Sequence, residues 1–269
     1  MNRDPAHHRP HKSRHSQPPS IPTLGSTCRS IREARGLSRD ASAAYLKVSR
    51  SHLADIERDR RAPTEELLEH LIVGYQLDLP LARHLRELRA TADNLEPSAV
   101  LRDSVTTNPA LVCHLQGLHE RGAPAAYVDS AWTVLTCNDA FRKAAPGLGA
   151  GDSIPVWMFS DDAKEIFPHW PSEADCATAN IRGIVGRYRG SEQVQTIFRR
   201  LRPIKEFRHR WNDGVHAAYG RDPSDLMYAR DPATGETRSY SLTITNQSEH
   251  VILIILSEHP GRNIETNRP

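Results

Sequence analysis

The stretch GLSRDASAAYLKVSRSHLADIERDRRAP, residues 36–63, decides the fold of the N-terminal part of the chain. Apolar residues recur in it at intervals of three and four, which is the period of an α-helix with one buried face. Ser38 is placed to cap a helix, because a serine hydroxyl accepts a hydrogen bond from the free N–H groups of a first turn, and a further helix opens at Ser49. The stretch therefore predicts two short helices joined by a tight turn.

The helical period extends on both sides of this stretch and covers residues 23–92. Gly36 stands where a first helix would end in the left-handed conformation, and Pro63 with Thr64 marks the start of a fourth helix. The inward side chains of the second helix are predicted to be Ala41, Ala44 or Tyr45, and Leu46. Residues 23–92 are predicted to form an all-α domain of five helices.

The helix that begins at Ser49 has a polar outer face, whereas Leu53 and Ile56 supply its inner face. A helix of this kind can lie in the major groove of DNA, where side chains near its N-terminus reach the edges of the bases. The outward side chains are Arg50, Ser51, His52 and Asp55. Double-stranded DNA is therefore the expected partner, and a helical bundle with solvated arginines is the alternative.

Two base contacts and a set of phosphate contacts are expected. Arg50 has the geometry to pair with guanine, and Asp55 either accepts from cytosine or orients Arg50 or Arg58. The loop after the helix carries Arg58, Arg60 and Arg61, which suit phosphate oxygens and give position without sequence information.

The stretch resembles the helix-turn-helix of Xre-type regulators, relatives of phage repressors, over about residues 24–78. The residues that carry the resemblance are Val48, Ser49, Arg50, Ser51, Ile56, Glu57, Arg58, Arg60, Arg61 and Pro63. The resemblance implies a sequence-specific transcription regulator and adds Arg39 to the expected DNA contacts, at a position where the family has a glutamine. A homodimer on a pseudo-palindromic operator is expected, because one small helix-turn-helix buries little DNA surface.

Three residues depart from the family pattern. Ser42 replaces a core leucine, Lys47 replaces the glycine of the turn, and Asp59 stands where glycine or asparagine is common. Lysine tolerates a positive φ poorly, so the turn is expected to be strained or rearranged.

The second half of the chain has a different sequence pattern, with predicted strands as well as helices. Residues 93–108 are polar, with prolines near their margins, and are predicted to be a linker. Residues 126–135 alternate apolar and polar side chains about a turn at Asp129 and Ser130, and residues 157–211 are helical in period. Three further strands are predicted at residues 225–229, 239–245 and 250–257. A strand pair, a helical middle and a closing antiparallel meander predict an α+β domain over residues 109–261.

Four segments of this domain are similar to the MmyB-like ligand-binding domain that follows many Xre-type helix-turn-helix domains. They are PAAYVDSAWTVLTCNDAF (124–141), WMFSDDAKEIFPHW (157–170), EFRHRW (206–211) and EHPG (258–261). The resemblance implies a PAS-like fold, in which a curved antiparallel sheet and helices enclose a cavity for a small apolar, fatty-acid-like ligand.

The residues expected to bind the ligand are mostly the large apolar side chains of these segments. They are Tyr127, Trp132, Val134, Asn138, Phe141, Trp157, Met158, Phe159, Phe207 and Trp211. The same side chains are also the largest groups available to build a core, and sequence alone does not separate the two roles. A ligand-free dimerisation or protein-interaction module is the alternative.

Composition and motifs narrow the function classes. Residues 1–22, with His7, His8, His11 and His15, and residues 262–269 are polar and are predicted to be disordered tails. No apolar run reaches the length of a membrane span and no secretory signal is recognised, so a cytoplasmic location is expected. The four cysteines lack CxxC spacing, and the nucleophile, zinc-protease and phosphate-loop motifs do not occur. Neither an enzyme nor a metal or cofactor site is predicted.

Overall fold

The structure is a computed structural model that describes residues 18–222 and 224–259. Its first five helices are α1 (Leu24–Ala34), α2 (Arg39–Tyr45), α3 (Arg50–Ile56), α4 (Glu65–Gly74) and α5 (Leu79–Arg89). These are the five helices that the sequence predicts, and they bury one shared apolar core. Gly36 has φ +66°, as expected for the residue that ends α1.

The buried face of α2 differs from the prediction. Ser42, Ala43 and Leu46 point inward, whereas Ala41, Ala44 and Tyr45 are exposed. The prediction is confirmed for Leu46 and is wrong for Ala41, Ala44 and Tyr45. The Ser42 hydroxyl is hydrogen-bonded to the hydroxyl of Tyr75, so the polar side chain is satisfied inside the domain.

Two helices follow the first domain, α6 (Ser98–Thr106) and α7 (Pro109–Glu120). Helix α6 lies inside the segment that was predicted to be a linker, and its Leu101 and Val105 are buried. The prediction of a linker over residues 93–108 is wrong for these residues, because the prolines flank a helix instead of marking an open chain.

The second domain contains a five-stranded antiparallel sheet. Its strands are β1 (Ala125–Asp129), β2 (Val134–Cys137), β3 (Met227–Arg230), β4 (Thr237–Asn246) and β5 (Val251–Glu258), in the order β2-β1-β5-β4-β3. The predicted turn at Asp129 and Ser130 joins β1 to β2, and the meander of β3, β4 and β5 is confirmed. The α+β, PAS-like class that the sequence predicts is therefore confirmed.

The two faces of the sheet serve different cores, because successive side chains in a strand point to opposite sides. Tyr127 and Leu253, which pair across β1 and β5, face α6 and α7. Ala126 and Ile254 face the helical middle of the domain.

The helical middle connects β2 to β3 and covers the second face of the sheet. It consists of α8 (Asp139–Ala144), α9 (Ile154–Trp157), α10 (Asp161–Ile166), α11 (Trp170–Tyr188), α12 (Glu192–Leu201) and α13 (Lys205–Asp213). Helix α11 also packs on α5 of the first domain. In the described part of the chain, no helix has the length and apolarity needed to span a bilayer.

The predicted tails fall largely beyond the described residues. The four histidines of the first tail and the whole of residues 262–269 lie outside them.

Candidate DNA-binding surface and ligand cavity

Helix α3 is held by its apolar face and presents its polar face to solvent. The Ser49 hydroxyl accepts a hydrogen bond from the His52 N–H at 3.1 Å and so caps the helix that the sequence predicts to open at this residue. Leu53 and Ile56 are at most 1% exposed. Arg50 and Ser51 are exposed, and the Arg50 side chain keeps 68% of its accessible surface.

The turn between α2 and α3 keeps the helix-turn-helix geometry despite its lysine. Lys47 has φ +53°, and the Val48 N–H reaches the Ala43 carbonyl at 3.0 Å, which is the helix-ending arrangement that glycine usually adopts. The strain expected at Lys47 is therefore present, and the turn is not rearranged.

Asp59, the second unusual residue, connects the loop after α3 to the start of α1. It has φ +56°, and its carboxylate accepts hydrogen bonds from the Gly25 N–H at 2.8 Å and from the Thr23 hydroxyl. An aspartate here supplies two contacts that a glycine would lack.

Glu57, at the end of α3, connects this helix to α1 and α2. Its side chain is 1% exposed and accepts from the Nε atoms of Arg32 and, at 2.8 Å, of Arg39. Burial alone would raise the pKa of Glu57, but the hydrogen bonds and charges of the two arginines outweigh it and hold the pKa below its ordinary value. The carboxylate is therefore ionised and paired at neutral pH.

The remaining sequence-predicted DNA contacts come from α3, from the residue before it and from the loop after it. Arg58, Arg60 and Arg61 are exposed, and His52 and Asp55 are partly exposed. Arg50 lies 3.0 Å from Asp40 of α2, and Arg60 lies 4.0 Å from Asp55. Arg39 differs from the others, because it is 30% exposed and already pairs with Glu57.

A cavity of about 140 Å³ lies between the sheet and the helices of the second domain. Four of the ten residues predicted to bind ligand line it, namely Trp132, Phe141, Trp157 and Met158. Strands β4 and β5 contribute Leu242, Ile254 and Leu256. Trp132 has φ +63°, a strained conformation for a residue with a large side chain.

The other six predicted residues do not line this cavity. Tyr127 lies on the opposite face of the sheet, Val134 is buried core, and Asn138 caps α8 and binds the β1 backbone. Phe159, Phe207 and Trp211 form an aromatic cluster with Phe198, with ring centroids 5.1 to 5.9 Å apart. For these six residues the structure supports a structural role, because five of them are buried in the two cores and Asn138 caps a helix.

One wall of the cavity was missed by the sequence reasoning. It is a stripe on α11 that consists of Glu173, Cys176, Ala177, Asn180, Ile181 and Ile184. The alternating spacing of three and one places these residues on one face of a helix, and that spacing was the available signal. The small side chains of Cys176 and Ala177 leave the space that larger ones would fill.

The polar groups at the cavity are already paired. Arg221 binds Glu173 at 2.6 Å, with 9% and 8% of the two side chains exposed. Burial alone would lower the pKa of Arg221, but the contact with Glu173 raises it above its ordinary value. Burial also raises the pKa of the Cys176 thiol, which therefore stays neutral. The free surface that remains for a ligand is largely apolar.

No group of three or more histidine, cysteine, aspartate or glutamate side chains could hold a metal ion within residues 18–222 and 224–259.

Comparison with known proteins matches both halves of the chain. A family model described as a helix-turn-helix domain matches residues 23–85, and one described as the MmyB-like transcription regulator ligand binding domain matches residues 103–266. Two curated relatives are the HTH-type transcriptional regulator RamB of two strains of Mycobacterium tuberculosis. Each is 32% identical over 110 residues, which cover 36% of this chain and 23% of the relative. The chain thus spans less than a quarter of the length of these relatives.

Proposed function

The chain belongs to the family of the MmyB-like transcription regulator ligand binding domain, and on that premise we propose that it is a ligand-responsive, sequence-specific DNA-binding transcription regulator. The observation that carries the proposal is the exposed N-terminal turn of α3, with Arg50 and Ser51 outward and Leu53 and Ile56 anchored inside. The proposed DNA-binding domain spans residues 23–92. The proposed sensor domain begins at α6, before residue 109.

The DNA contacts follow from the exposure of the arginines. Arg50 is proposed to read guanine through its O6 and N7 atoms, and its bridge to Asp40 is no obstacle, because an exposed ion pair contributes about 0–1 kcal/mol. Arg58, Arg60 and Arg61 are proposed to bind phosphates. Arg39, Ser49, Ser51, His52 and Asp55 complete the proposed contact set.

Selection from a library of random DNA duplexes tests the DNA-binding role, because it assumes no operator sequence. We expect enrichment of a short, two-fold symmetric sequence, because a homodimer is proposed to bind two half-sites. Binding should weaken steeply with added salt, because phosphate contacts release counterions. Recovery of no preferred sequence at any salt concentration would contradict the proposal.

A regulator of this kind would act in the cytoplasm.

The second part of the proposal is that the cavity binds a small apolar, fatty-acid-like ligand that modulates operator binding. The apolar lining supports this class. The volume limits its size, since an engineered apolar cavity of about 150 Å³ stays dry and binds benzene. A short part of the acyl chain is therefore proposed to occupy the cavity, and the rest of a longer chain is proposed to extend out of it.

Thermal unfolding with straight-chain acids from hexanoic to hexadecanoic acid tests the ligand class. A bound acid at a hundredfold excess over its Kd should stabilise the chain by about 2.7 kcal/mol, or raise Tm by about 5 to 10 °C. We expect the stabilisation per carbon atom to be greatest for the shorter acids, which the cavity encloses.

Ala177→Phe is the matched control for this series, because it places a ring of benzene size inside the cavity. The variant should lose the stabilisation while still unfolding cooperatively. Absence of a shift with every acid, or an equal shift in Ala177→Phe, would exclude the cavity as the site of these ligands.

A further inference from the structure

The surface between the two domains contains a segment that touches the cavity on one side and the DNA-binding domain on the other. It consists of residues 215–221, between α13 and β3. Val215 packs against the core of the first domain, and Gly220 and Arg221 line the cavity. We refer to residues 215–221 as the connecting segment.

Tyr219 is the residue of the connecting segment that faces α5. Its hydroxyl donates to the Glu87 carboxylate, and the Arg83 guanidinium lies 3.7 Å from the centroid of its ring. Arg83 and Glu87 also bind each other at 2.9 Å along α5. Burial and the contact with Glu87 raise the pKa of Tyr219, so the hydroxyl keeps its proton and remains a donor.

The next two residues of the segment are tied to the cavity wall on α11. The Gly220 N–H donates to the Asn180 side-chain oxygen at 2.6 Å, and the Asn180 amide donates back to the Gly220 carbonyl at 3.1 Å. Arg221 binds Glu173, which lies about two turns before Asn180 on the same face of α11. Adjacent residues of one short segment thus contact α5 and the cavity.

Helix α11 packs closely against both the connecting segment and α5. A Cβ atom added at Gly183 of α11 would lie 2.4 Å from the Ala218 carbonyl oxygen, and one added at Gly186 would lie 2.5 Å from Nδ1 of His84 on α5. The connecting segment therefore packs directly against α11, and α11 packs directly against α5, so a displacement of the segment disturbs close contacts on this surface.

His84 shows that α5 and α11 are held together at a cost. Its ring is fully buried between the domains, and within the described residues neither ring nitrogen has a hydrogen-bond partner. A buried polar group without a partner disfavours the packed state, and separation of the helices would return both nitrogens to water. The unpaired ring nitrogens therefore lower the free energy needed to loosen the contact between α5 and α11.

We infer that the connecting segment, through Tyr219, transmits occupancy of the cavity to α5 of the DNA-binding domain. The inference rests on the proposed function and names its regulatory step. A molecule in the cavity contacts Gly220 and Arg221, displaces the segment and weakens the contacts of Tyr219 with Glu87 and Arg83. A ligand shifts such an equilibrium only by its different contacts in the two states, and those contacts are made here at Gly220 and Arg221.

Hydrogen exchange measured by mass spectrometry on the whole chain tests this inference. The Ala177→Phe variant fills the cavity without any ligand, and we expect the amides of residues 79–89 to exchange about fivefold faster or more than in the wild type. The same substitution is then made in a Tyr219→Phe background. There Ala177→Phe should not accelerate exchange, because the hydroxyl that connects the segment to Glu87 is absent.

Arg187→Ala is the control for general damage to the same surface. Arg187 binds Asp93 at 2.7 Å near the end of α11 and does not line the cavity, so the acceleration should persist in its background. If Ala177→Phe does not fold, Ala177→Leu, which adds a smaller side chain to the same wall of the cavity, takes its place.

Equal exchange of α5 in the filled and unfilled protein, or acceleration that persists with Tyr219→Phe, would overturn the inference. The comparison of variants requires neither DNA nor ligand. A failure of the proposed function would instead show as absent DNA selection or absent stabilisation by acids, so the two failures are distinguishable.

Discussion

Replacement of Glu57 by glutamine should lower the free energy of unfolding of the DNA-binding domain by about 3 to 5 kcal/mol, the usual cost of removing one partner of a buried ion pair. Glutamine has nearly the same shape, so packing is retained. The Arg32 side chain, which is 7% exposed, would be left as a buried charge with its main carboxylate partner gone. Arg39 would lose the contact that joins α2 to the end of α3.

Two optical signals can separate the domains in this experiment. All four tryptophans, from Trp132 to Trp211, lie in the second domain, so their fluorescence follows its unfolding, whereas circular dichroism follows the helices of both. The denaturant midpoint seen by circular dichroism should fall more than the fluorescence midpoint. Glu96→Gln, at an exposed position, is the control and should change the free energy of unfolding of either domain by less than about 0.5 kcal/mol. A Glu57→Gln variant as stable as this control would contradict the structural role of the ion pair.

The same carboxylate gives a pH dependence of defined sign. The pKa of Glu57 in the folded chain is lower than its ordinary value of 4.5, so its contribution to stability is present above pH 4.5 and is lost as pH falls through the lower folded pKa. The glutamine variant should lack this acid-side component.

Replacement of Arg50 by alanine should weaken binding to the selected duplex by about tenfold to a hundredfold, since a bidentate arginine–guanine pair contributes about 1 to 3 kcal/mol of discrimination. Arg50 is exposed and its Asp40 partner is equally exposed, so the change should leave the fold intact. Titration of the labelled duplex by fluorescence anisotropy measures the effect.

The control for Arg50 is Arg60→Ala, because Arg60 is an equally exposed arginine that is proposed to bind phosphate. It should weaken binding to the selected and to a scrambled duplex by the same factor and should reduce the salt dependence. Equal loss on both duplexes for Arg50→Ala would remove its role as a base-reading residue.

The sequence predicts the first domain well because local signals agree there. Ser38 caps a helix as predicted, the helices predicted to start at Ser49 and Thr64 begin directly after those residues, and Leu53 and Ile56 are buried as predicted. The burial of Ser42 in α2 was missed because the partner that satisfies its hydroxyl is Tyr75, 33 residues away. No local pattern shows that hydrogen bond.

The cavity is harder to predict because its lining depends on how distant segments meet. Phe141 and Phe159 look alike in sequence, yet one lines the cavity and the other belongs to an aromatic cluster. Arg221 and Glu173 are 48 residues apart and are joined only by the fold. The small residues of α11 carry a helical signal, but size alone does not show that the space beside them is empty.

The measurement that tests the central claim most directly is the affinity for the selected duplex with the cavity empty and with it filled by the acid that stabilises the chain most. We predict that Kd for the wild type changes by about fivefold or more on addition of the acid, and that it stays constant for Ala177→Phe. A wild-type Kd that is the same with and without bound acid would contradict the claim that this chain is a ligand-responsive regulator.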